Sequence, residues 1–117
     1  MEIKVVKEPI KKSELMEMAK KEFGNLIKAV VDVKQEIMAV GGQLHADEET
    51  FLTEKEGSER EYTWGINLRL DESGDGFIEF DSMINLKPGF GNRSRGVDDP
   101  KIQEQIKEVV GKLVTNE

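Results

Sequence analysis

The chain has 117 residues, 37% of them apolar, with 24 acidic against 17 basic side chains and a formal net charge of −7. A domain of this size buries roughly two-thirds of the surface its unfolded chain exposes, so residues 1–117 read as one domain that folds without metals or disulfides. The acidity argues against a nucleic-acid partner, whose phosphates are neutralised by Lys and Arg. The absence of cysteine excludes disulfide frameworks, thiolate zinc sites and cysteine nucleophiles, and fits a reducing compartment.

The opening MEIKVVKEPIKKSE has no apolar signal core, and no later run approaches the ~20 apolar residues of a membrane span. The expectation is a soluble cytoplasmic protein with no membrane partner. Residues 2–7 alternate around Ile3 and Val5 and suggest a first strand, ended by Pro9. Ser13 is placed to cap a helix carrying Leu15, Met18, Ala19 and Phe23, with Gly24 as its stop. Leu26–Val33 and Glu36–Gly41 are rich in β-branched residues and form a hairpin about Lys34-Gln35. Residues 45–55 are polar around Phe51 and Leu52, which predicts a short helix or an irregular excursion. Ser58 and Glu61 have capping-box spacing, enough for one helical turn before Trp64.

Trp64–Leu70 and Phe77–Leu86 alternate apolar and polar residues around the turn sequence DESGDG, and should pair as antiparallel strands with one solvated face. The loop GFGNRSRGVDD leads to Asp99 as cap and Pro100 as the first residue of a helix. That helix carries an apolar stripe of Ile102, Ile106, Val109, Val110 and Leu113. The order β-α-β-β-(short helix)-β-β-α defines an α+β fold, a mainly antiparallel sheet of about five strands with two helices on one face.

Three constellations could carry chemistry. The first is G41-G-Q-L-H-A-D-E-E49, which holds the only histidine of the chain. A neutral imidazole can ligate a metal or carry a proton, with Asp47 two residues away to share or orient it. The spacing matches no established metal motif and no second histidine exists, so no metal site and no cofactor are assigned. The plainer reading makes Asp47 an N-cap, with Glu48 and Glu49 in the first helical turn and His45 a hydrogen-bonding residue beside it.

The second is Gly91-Asn-Arg-Ser-Arg-Gly96, where Arg93 and Arg95 would project to one side of an extended segment and grip a phosphate or carboxylate. Pairing of both arginines with acidic neighbours is the commoner arrangement. Ser94 as a nucleophile would need a remote pairing with His45 that nothing in the sequence specifies. The third is the polar side of the last hairpin, with Asn67, Arg69, Glu79, Asp81 and Asn85, which on paper also describes a solvated sheet face. If the strand ends are adjacent, His45, Asp47, Asp81, Arg93 and Arg95 line one polar cleft.

The phrases GGQLHADEE, TWGINL and EFDSMINLKP…GNRSRGVDDP resemble an uncharacterised family of short single-domain prokaryotic proteins, a domain of unknown function. The resemblance covers nearly the whole chain and implies no activity, ligand or catalytic residue. The leading functional expectation is a binding module for a small anionic ligand, held by Arg93 and Arg95 with His45, Asp47, Asp81 and Asn85 around it. One alternative is an enzyme, either a metal-assisted hydrolase using His45, Asp47 and Asp81 or an acid–base catalyst using His45. The other is a partner-binding protein that recruits another chain, or a second copy as a homodimer, along an exposed edge.

Overall fold

The computed structural model describes residues 2–116. Its strands are β1 (Lys4–Val6), β2 (Ile10–Lys11), β3 (Leu26–Asp32), β4 (Ile37–Val40), β5 (Thr63–Arg69), β6 (Ile78–Glu79) and β7 (Val114–Thr115). Its helices are α1 (Lys12–Lys20), α2 (His45–Glu56) and α3 (Pro100–Leu113). A five-stranded antiparallel sheet runs in the order β1-β4-β3-β5-β6, and β2 and β7 form a small parallel pair beside it. The fold is α+β, as the alternation of strand and helix patterns predicts.

Two helices lie on one face of the sheet. Leu15 and Ala19 of α1 and Ile106, Val109, Val110 and Leu113 of α3 share a core with Ile27, Ala29, Val31, Met38, Val40, Trp64, Ile66 and Leu68. Asp99 caps α3 by accepting from the Lys101 N–H at 2.9 Å. Helix α1 begins two residues earlier than the sequence suggests: Lys11, not Ser13, is the last extended residue, because pairing of Lys11 with Thr115 holds the chain in a strand up to that point.

The opposite face is covered, where alternation alone suggested water. The 45–56 segment is a full three-turn helix, and its Leu52 packs with Val30, Ile37, Ala39 and Ile84 in a second cluster. Burying Leu52 contributes about 1.5–3 kcal/mol. The β3–β4 hairpin turns without Asn-Gly chemistry because the Asp32 carboxylate accepts from the Lys34 and Gln35 N–H groups at 2.9 and 3.0 Å. Ser58 donates to the same carboxylate at 2.7 Å, so it braces the hairpin. The 3₁₀ turn at Arg60–Tyr62 has no side-chain cap.

The largest departure lies after β6, which pairs with β5 only at Asn67↔Glu79 and Leu68↔Ile78. The expected strand over Phe77–Leu86 stops at Glu79, and the chain crosses onto the second face through a 3₁₀ turn at Met83–Asn85. The peptide edge of β5 that β6 leaves open is met by side chains. The Asn85 amide accepts from the Gly65 N–H at 2.8 Å and donates to the Gly65 carbonyl at 3.0 Å and the Arg95 carbonyl at 2.9 Å. The Lys87 ammonium donates to the carbonyls of Thr63 and Arg60, at 2.6 and 2.5 Å, and sits 3.8 Å from the Trp64 ring centre. Burial pushes Lys87 down to about 8. Gly65 is where this loop rests on the sheet, since a Cβ there would lie 2.5 Å from the Ser82 Cβ.

Asn85→Ala strips both peptide groups of Gly65 of their partners in a dry setting, at roughly 1–3 kcal/mol for each orphaned group. Urea unfolding should show a loss of about 2–4 kcal/mol with unchanged slope. A loss within the ~0.5 kcal/mol typical of surface substitutions would mean that the amide does not hold the loop.

Candidate functional site

The GGQLHADEE stretch joins β4 to α2, and each of its unusual residues has a position that requires it. Gly41 has φ +94, and a Cβ there would lie 2.7 Å from the Glu2 carbonyl oxygen. Gly42 has no room for a side chain because Glu48 folds back over it, with Cγ 2.7 Å from where a Cβ would be. The Glu48 carboxylate accepts from the Gly42 N–H at 2.9 Å, while its other oxygen, Oε1, is buried without a partner among the described residues. This contact, together with His45, sets where α2 starts. Leu44 occupies the N-cap position and offers no side-chain cap. Asp47 is therefore in the first turn rather than at the cap, and it is exposed.

His45, the first residue of α2, turns inward. Its Nε2 lies 2.8 Å from the Ile66 carbonyl oxygen. A carbonyl only accepts, so Nε2 carries the proton and Nδ1 is left as an acceptor in the neutral ring. Burial lowers the pKa of His45 below its ordinary 6.5, and the Lys28 charge acts in the same direction; the Ile66 carbonyl, Asp81 and Asn67 oppose them in part. Burial pushes the Glu48 carboxyl well above its ordinary 4.5, against the pull of the Gly42 N–H and Lys28.

His45 lies in a cleft of about 570 Å³ on the second face of the sheet, between the start of α2, strands β3 and β5, and the loop that Asn85 holds. Lys28, Asn67, Asp81 and Arg95 line it as well. The proximity of strand ends raised by the sequence is thus observed for three of its residues. Arg95 Nε and Asp81 Oδ1 are 2.8 Å apart at the mouth, in an exposed pair that fixes the arginine more than it stabilises the fold.

Arg93, Asp47 and Asn85 are placed elsewhere. The 92–98 segment is bent rather than extended, because Asp98 accepts from the Arg93 N–H at 2.9 Å and from the Ser94 hydroxyl at 2.5 Å. Arg93 and Arg95 consequently do not share the cleft. Two residues along a helix is a rotation of about 200°, so Asp47 points away from His45. Asn85 is fully buried, and its amide is occupied by Gly65 and Arg95. Among the described residues no three His, Asp or Glu side chains gather as a metal site.

Lys28 is the cleft residue that sequence reasoning missed. Its Nζ is 5.2 Å from the Phe23 ring centre and makes no ion pair among the described residues. The signal was present: a lysine sharing strand parity with Leu26 and Val30 lies on a face that those two residues mark as covered. Asn67 stands directly across from Lys28 in the β3–β5 register. The Asn67 Nδ2 donates to Glu79 Oε1 at 2.8 Å, and its Oδ1 is buried without a partner among the described residues.

Fold and site together define an α+β protein with a charged, partly apolar cleft between a helix start and a sheet face. The chain belongs to the family described as protein of unknown function (DUF5674), whose model matches residues 4–113. No curated protein and no solved structure matches it. Among the described residues no helix is long and apolar enough to cross a membrane.

The two shifted groups act on stability in opposite senses. The folded state binds more protons than the unfolded one above pH 4.5 on account of Glu48, so that contribution to stability falls as pH rises from there through the folded pKa. For His45 the unfolded state binds more, so its contribution is lost as pH drops below 6.5. Glu48→Gln removes the first effect alone. The melting temperature of the wild type, relative to this variant, should fall as pH rises above 4.5; a difference that stays flat or rises would contradict burial of a titrating carboxyl.

Proposed function

We propose that this protein is a binding module for a small anionic molecule, taken up in the cleft between the start of α2 and strands β3 and β5. The observation that carries the proposal is Lys28, an ammonium in the cleft with no carboxylate partner among the described residues, in a chain of net charge −7. It shares the cleft with Leu44, His45 and Ala46 at the start of α2. That turn has no side-chain cap, so its outward N–H groups add positive potential beside the ammonium. Arg95 and Asp81 stand at the mouth, and His45 lies at the floor.

Acid–base catalysis by His45 is the second reading, supported by the free Nδ1 of a neutral imidazole. A metal-assisted hydrolase built on His45 and Asp47 has less support, because the helix sends the two side chains apart. Exposed Phe23, Leu44 and Met83 give a second copy or another chain apolar surface to cover. A cytoplasmic, soluble protein of a prokaryotic cell fits the lack of cysteine and the family resemblance, and nucleic acid is no partner for so acidic a chain.

Lys28→Met keeps the length of the side chain against Phe23 and removes the charge. Small carboxylates and phosphates should raise the melting temperature of the wild type, and calorimetry should find the best of them bound about tenfold or more weakly by the variant. Equal affinity for the two proteins would remove the cleft as the anion site.

A further inference from the structure

We infer that the cleft recognises a free apolar α-amino acid. The inference rests on the anion-binding reading and specifies its ligand. Lys28 and Asn67 are opposite one another on adjacent strands and share a face, with Cβ atoms about 5 Å apart, so a side chain ending in a cation and one ending in a hydrogen-bond acceptor rise from neighbouring positions. An α-amino acid carries the complementary pair, a carboxylate next to a donor, on a single carbon.

The acceptor side calls for more than one hydrogen. Asn67 is 8% exposed, and its Nδ2 is fixed by Glu79, which leaves Oδ1 as the free end of the amide. The Nε2 of His45 is fixed by Ile66, which leaves Nδ1. Both residues line the cleft. A carboxylate satisfies neither acceptor, and one amide N–H satisfies one; an ammonium has three hydrogens. Asp81 lines the same cleft and offers negative charge to the ammonium, as Lys28 offers positive charge to the carboxylate.

The rim supplies the apolar part. Phe23, Leu44 and Met83 are 42%, 56% and 62% exposed, and all three line this cleft. Its volume, about 570 Å³, is ample for one amino acid. Met83 is unbranched and the most exposed of the three, so it can adapt to the ligand's apolar side chain.

Calorimetry on the full chain with four probes tests this. L-Leucine is expected to bind at least about tenfold more tightly than isocaproate, which lacks the ammonium, than N-acetyl-leucine, which has one N–H, and than isoamylamine, which lacks the carboxylate. Asn67→Ala, checked for folding by circular dichroism, should bring leucine and isocaproate to within about threefold. The comparison on the wild type decides alone if that variant does not fold. Isocaproate or N-acetyl-leucine binding as tightly as leucine overturns the amino-acid assignment, and loss of that binding in Lys28→Met would leave the anion site standing. If leucine, small carboxylates and phosphates all fail to bind, both readings fall.

Discussion

The cleft exists because the Asn85 amide stands in for a strand. Strand β6 pairs with two residues of β5 and stops, which leaves the Gly65 peptide facing an empty lane. An asparagine side chain has the same donor and acceptor as a peptide group, so it completes the ladder at one residue while its own backbone runs elsewhere. Lys87 does the same for the Thr63 carbonyl with a charged donor. These contacts free the chain to leave the sheet plane after Glu79 and return across the second face, which brings Asp81, Ser82, Met83 and Arg95 to one wall of the cleft. Asn92 extends the device by donating to the carbonyls of Asn85, Ser94 and Gly96. A loop rich in glycine and polar residues is thereby held as firmly as a strand.

The opposite wall is set at the start of α2, where position is maintained at an electrostatic cost. Glu48 buries a carboxyl for one hydrogen bond to Gly42, and a buried carboxyl with an unpartnered oxygen opposes folding unless it protonates. An apolar residue there would pack as well and would leave the Gly42 N–H unmet. His45 is anchored by a single carbonyl on the neighbouring strand. The two anchors lie three residues apart in the first turn, so α2 can neither slide nor rotate without breaking one of them.

Much of the fold was legible in the sequence, and the reasons are local. The Asp99-Pro100 start of α3, the β3–β4 hairpin and the β5–β6 pairing follow from capping, branching and turn chemistry that act within a few residues. The end of β6 was not legible. Ile78, Phe80, Ile84 and Leu86 keep a period of two through the point where the chain changes face. Ile78 and Phe80 pack with the first core, and Ile84 packs with the second. Periodicity records which residues avoid water and not which layer receives them. The same limit hid the cleft: Arg93 and Arg95 were grouped on the assumption of an extended segment, which the Asp98 hydrogen bonds bend. Lys28 was not singled out among the β-branched residues of its strand.

The geometry of the cleft floor depends on which nitrogen of His45 carries the proton, because that decides whether an acceptor or a donor faces Asn67. Long-range nitrogen–proton correlation of the imidazole at neutral pH reads this directly. The structure requires a neutral ring protonated on Nε2 and bonded to the Ile66 carbonyl, with Nδ1 bare. A ring protonated on Nδ1, or on both nitrogens, would contradict the account.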